Sequence, residues 1–133
     1  MCSEVENKRY QNKLCDGLLD RLDVFVDMQE VESTDRADIT SAQMHQEVLN
    51  AFKMQKQRGQ GRLNGKLSEE EIECYCILDE NAKKILESAI GKFGLSHRSI
   101  ASVKKIARTI ADLDGHESIE RSDILEALSY RRR

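Results

Sequence analysis

Arg98 is the residue whose type and place most suggest chemistry. It lies in GLSHRSIASVKKIARTIADLDG, residues 94–115, a stretch that predicts a helix capped by Ser96 and closed by Gly115. A helix N-terminus carries partial positive charge, so a cation in its first turn is disfavoured by roughly 0.3–1 kcal/mol. Two readings fit. Arg98 is a tolerated surface arginine, paired with an acid, or it completes an anion site. Free N–H groups at a helix start bind phosphate, and a planar guanidinium adds two parallel hydrogen bonds. At about 100° per residue, Ile100, Val103, Ile106, Ala107, Ile110 and Ala111 form one apolar stripe. Arg98 falls nearly opposite it, beside Ser102, Lys105 and Thr109, and is expected to point outward. Helix physics alone does not choose between the readings.

Other groups are weaker candidates. KMQKQRGQGRLNGK, residues 53–66, carries Lys53, Lys56, Arg58, Arg62 and Lys66 and no acid. A flexible basic stretch can follow a nucleic-acid backbone, and a solvated loop is the alternative. It has no aromatic residue for base stacking, so base recognition is not expected. Cys74 and Cys76 have C-x-C spacing rather than the C-x-x-C of a zinc knuckle, and no histidine follows at a ligand-like interval. Buried or idle thiols are expected, and no metal site. His97 adjoins Arg98 and is read as a surface histidine at a helix start.

The elements that must hold these residues are mostly helical. Residues 3–14 are polar and helix-permissive. Residues 22–28, LDVFVDM, alternate Leu22, Val24 and Val26 with Asp23, Phe25 and Asp27, which predicts a strand. One strand cannot satisfy its own ladder. Residues 30–40 read as a linker. Residues 41–57 predict a helix whose Met44, Val48, Ala51 and Phe52 share a face. A glycine-containing loop follows at 58–66. Ser68 and Glu71 form a capping box for a short helix through Cys74. Asp79 caps the next helix, which ends at Gly94 and has Ala82, Ile85, Leu86, Ala89, Ile90 and Phe93 on its apolar side. A last helix covers 121–130, with Ile124, Leu125, Ala127 and Leu128.

Composition agrees. The chain has 133 residues, 34% charged and 39% apolar, with no proline or tryptophan. That suits one helical domain with a modest core. The net charge of −3 gives no global attraction to nucleic acid, so any such contact must be local. No run is long enough to span a membrane. The start lacks a signal peptide's apolar core, and the cysteines need no oxidising compartment. A cytoplasmic location is expected.

The wording of the chain adds a resemblance. LSHRSIASVKKIARTIADLDG followed by ILEALSYR (124–131) resembles the C-terminal region of magnesium-chelatase-like AAA+ ATPases, nearest the bacterial competence-type branch. RY (9–10), LLDRLD (18–23), and Gln55, Arg58, Asn64 and Leu67 in register also match. The resemblance implies a mainly α fold: residues 1–33 as the end of the α/β ATPase core, with its strand at 22–28, and residues 34–133 as a helical lid. It implies ATP and Mg²⁺ in a full-length protein, and a ring of six subunits as the working assembly. It implies that Arg98 is the sensor 2 arginine, touching ATP phosphates in its own subunit. It further implies that Arg21, in LLDR, is an arginine finger acting on a neighbour's ATP, a role worth ~10³–10⁵ in rate. The chain contains no phosphate loop of the form G-x-x-x-x-G-K-[ST], so it is expected to be a segment that does not hydrolyse ATP alone. DNA remodelling is the implied task. The alternatives are a chelatase subunit driving metal insertion into a porphyrin, and a non-catalytic helical module binding DNA or protein. The chain departs from the family's wording at Cys15-Asp16-Gly17, at Phe52, and at Ser102, where a second arginine is common.

Overall fold

The structure, a computed structural model, describes residues 23–26, 28, 30, 32–36 and 38–131. Among them are five α-helices: α1 (Ser41–Gln57), α2 (Glu69–Tyr75), α3 (Glu80–Phe93), α4 (His97–Asp114) and α5 (Arg121–Ser129). A 3₁₀ turn, Asn64–Lys66, lies between α1 and α2. The expected helical architecture is therefore present.

Local chemistry sets the helix ends. Ser68 and Glu71 cap α2 reciprocally, and Thr40 and Gln43 do the same for α1. Asp79 accepts from the Ala82 N–H at the start of α3, and Ser96 from the Ser99 N–H at the start of α4. Gly94 and Gly115 end α3 and α4 at φ +60° and +78°, a left-handed turn that a Cβ would oppose.

α4 is the hub. It packs against α5, α1, α2 and the 3₁₀ turn, while α3 lies on α5. Val103, Ala107, Ile110 and Ala111 of its expected stripe join a core with Leu67, Ile72, Cys76, Ala82, Leu86, Ile119, Ile124 and Ala127. Fully burying an isoleucine such as Ile119 or Ile124 is worth about 1.5–3 kcal/mol. The connector before α3 and the connector before α5 are joined by a parallel bridge between Leu78 and Ile119. Its hydrogen bonds run from Ile119 N–H to Ile77 O (2.8 Å) and from Asp79 N–H to Ile119 O (3.0 Å).

Three expectations are corrected. Residues 23–26 and 28 form no strand: the described residues offer no neighbouring strand to complete a ladder. Only the C-terminal half of α1 reaches the core. Ala51 is buried, but Met44, Val48 (59% exposed) and Phe52 remain at the surface, because the side of the helix turned to the bundle carries Ala51 and Gln55. Phe93 is 63% exposed and Leu125 is also exposed, the former at the end of α3 where no other element covers it.

Candidate functional site

α4 carries a polar stripe opposite its apolar one, through Arg98, Ser102, Lys105, Thr109 and Asp112. Residues along this stripe are covered from the second turn onward. Ser102 is buried, with its hydroxyl donating to Asp23 and accepting from Arg131. Further along, Asp112 is buried beneath Arg58 and Asn64. At the first turn the stripe is open. Arg98 is exposed, and no ion pair engages it among the described residues. An uncompensated guanidinium thus stands at a helix start whose Ser99 N–H is capped by Ser96, and the partial positive charge of that end together with the arginine favours an anion. His97 is turned aside, its Nε2 2.9 Å from Glu69 Oε1 at the start of α2. Arg21 lies outside the described residues.

The basic segment divides. Lys53, Lys56, Arg62 and Lys66 are exposed, with the Lys56 ammonium 4.8 Å from the Phe52 ring centroid and Arg62 3.9 Å from Glu71. Arg58 departs from the expectation of a phosphate-tracking residue. It is 19% exposed and donates both terminal nitrogens to Asp112, at 2.7 and 2.9 Å. Its Nε donates to Gln60 Oε1 at 2.7 Å. A guanidinium satisfied internally by a bidentate carboxylate is an anchor rather than a free contact.

Asp112 collects more than Arg58. Asn64 Nδ2 donates to it at 2.9 Å and to Thr109 Oγ1 at 3.1 Å, while the Asn64 N–H donates to Gln55 Oε1 at 3.0 Å. The fully buried Arg108 lies 3.2 Å from Asp112 and donates to the carbonyls of His116 (2.7 Å) and Glu117 (2.8 Å). Burial lowers the Arg108 pKa, and Asp112 opposes that shift. This network ties the 58–66 loop to α4 and the connector before α5. Sequence reasoning missed it. Its only trace was the register of Gln55, Arg58 and Asn64 within the family wording.

The two remaining titratable groups have structural settings. Cys74 is exposed while Cys76 is buried in the core; burial pushes the Cys76 thiol up to about 11. Asp114, His116 and Asp123 place one ligand-type atom each within 4.8 Å of one another. His116 Nδ1 is 2.9 Å from Asp123 Oδ2, and its Nε2 is 3.2 Å from Glu120 Oε2. Asp123 Oδ2 also accepts the Glu120 N–H. The hydrogen bond to Asp123 raises the His116 pKa, so the group suits an imidazolium held between carboxylates. Among the described residues no helix is long and apolar enough to cross a membrane.

Five helices gathered around α4, with an exposed arginine at that helix's start, define a small all-α domain. Comparison places the chain within a family. Residues 38–131 match the model of the magnesium chelatase subunit ChlI C-terminal domain, and the chain belongs to that family. It is 37% identical over 128 residues to competence protein ComM of Haemophilus influenzae, an alignment covering 92% of this chain and 25% of the relative. It is 33% identical over 135 residues to the uncharacterized protein YifB of Salmonella typhimurium, covering 98% of this chain and 26% of the relative. The Escherichia coli YifB is 34% identical over 135 residues, with the same coverage. The chain spans about a quarter of the length of the curated relatives it matches.

Proposed function

We propose that this chain is the helical lid of a ring-forming AAA+ ATPase and that Arg98 contacts the phosphates of ATP bound in the same subunit. The observation that carries the reading is the open first turn of α4 in a chain of this family. Its exposed guanidinium at a positively polarised helix end fits the phosphate end of a nucleotide. Arg21 is assigned to a neighbour's ATP on the family wording. Bound Mg-ATP would supply the phosphoanhydride to be hydrolysed. This chain's part is to orient the phosphates and to carry their charge into a movement of the lid.

DNA is the preferred substrate of the motor. The competence-type wording and the H. influenzae relative support it, and exposed Lys53, Lys56, Arg62 and Lys66 offer a backbone-tracking surface. The chelatase reading has the family's name in its favour; stimulation by a metal-free porphyrin rather than by DNA would select it.

The test is ATP hydrolysis by the full-length protein, wild type against Arg98→Ala, with and without DNA. A charge-assisted hydrogen bond is worth about 1.5–3 kcal/mol, so the variant should lose roughly tenfold to a hundredfold in kcat/KM. Equal kinetics in the two proteins would return Arg98 to an ordinary surface arginine.

A further inference from the structure

The start of α4 is held by residues from both ends of the described chain. Arg131, just past α5, donates from Nη2 to Ser99 Oγ at 2.9 Å and from Nη1 to Ser102 Oγ at 3.5 Å. The Ser102 hydroxyl in turn donates to Asp23 Oδ1. Ser96, the N-cap of α4, donates its hydroxyl to Ser99 Oγ at 3.0 Å. Beside this chain of contacts, the Phe25 N–H donates to the Tyr130 carbonyl at 2.7 Å. Ser99 and Ser102 are both buried, so hydroxyls left without these partners would lose hydrogen bonds that water could not easily replace.

The geometry matters because of what these residues adjoin. Ser99 follows Arg98 directly, and Ser102 is one turn further on the same face. A planar guanidinium that spans two hydroxyls one turn apart resists rotation of the helix about its axis, which a single ammonium would not. Asp23 is two residues past Arg21 in the sequence.

We infer that Arg131 is a positioning residue for Arg98. It clamps Ser99 and Ser102, fixes the azimuth of the first turns of α4, and fastens that turn through Ser102 to the segment that follows Arg21. The inference rests on the reading of Arg98 as a nucleotide contact. Its product is a mechanical unit: Asp23, the first turns of α4 and the end of α5 move together, so a displacement of Arg98 by nucleotide is passed to Asp23, two residues after Arg21 in the sequence.

The experiment is a double-mutant cycle in the full-length protein, read as the KM for ATP. Arg98→Ala should raise KM by about tenfold. Arg131→Ala should raise it in the same direction, by roughly threefold to tenfold, with the protein still folded at the assay temperature by circular dichroism. The double variant should match Arg98→Ala within about twofold, because a positioning residue has nothing left to position. Arg131→Lys, which keeps the charge and the stem, guards against misfolding and should behave like Arg131→Ala. If the two effects multiply, if Arg131→Ala leaves KM alone while Arg98→Ala raises it, or if Arg131→Lys is as good as wild type, the inference is overturned and the reading of Arg98 survives. If Arg98→Ala itself is silent, the nucleotide reading falls and takes the inference with it.

Discussion

At the residue scale, the contrast between Arg98 and Arg58 is the most instructive. Both are arginines on a polar face, yet one is exposed and the other is held by Asp112. The consequence of removing Asp112 is large. Asp112→Ala would strand Arg108, which has no exposure, and deprive Arg58 and Asn64 of their shared acceptor. Breaking one side of a buried ion pair costs about 3–5 kcal/mol, and urea unfolding of the chain should show a loss of that order. A loss below about 1 kcal/mol would mean the network is not a buried one. His116 gives a pH-dependent counterpart. Its folded pKa is raised by Asp123 first, then by Glu120 and Asp114. The stabilisation is therefore fully present below the ordinary histidine value of about 6.5 and is lost as pH rises through the higher folded value. Urea midpoints measured between about pH 5.5 and 8.5 should show the wild type's margin over His116→Gln shrinking as pH rises. A constant margin would assign His116 a role independent of its charge.

At the element scale, α1 divides along its length. Val48 is exposed and Ala51 buried, although the two are neighbours on one apolar face. Val48→Gln should change the stability of the chain by less than about 0.5 kcal/mol, while Ala51→Gln should cost about 1–3 kcal/mol by overpacking. Thermal melts of the two variants make the comparison, and equal losses would put Val48 in the core. The same helix shows what was legible in the sequence. Its limits, and the caps at Ser68, Asp79 and Ser96, depend on residues three or four apart, so they could be read directly. Periodicity also showed that Met44, Val48 and Phe52 share a face. It could not show that nothing in this chain covers them. The strand expected at 22–28 is not formed by its described residues, 23–26 and 28, for a related reason, since strands need partners that alternation alone does not supply. The site was half legible. Arg98 stood out by its conflict with the helix dipole, whereas Arg58 and Asp112 lie 54 residues apart, a pairing no local pattern encodes.

At the scale of the whole molecule, α4 gathers the other elements, and its two ends are held differently. The first turns are clasped by Arg131 and Asp23, the last by Arg58, Asn64 and Arg108. The bridge between Leu78 and Ile119 acts on a different property. It links two connectors that are far apart in sequence, with Ile119 buried completely. The amides of Asp79 and Ile119 both donate within it. Connectors usually exchange their amide hydrogens with deuterated water through small local openings. Here those two hydrogens are held in the bridge between the segments that lead into α3 and α5, so they exchange only when that bridge opens. Among the described residues, two amides that lie in no helix will therefore exchange more slowly than those of the other connectors, and their rate will report the opening of that junction.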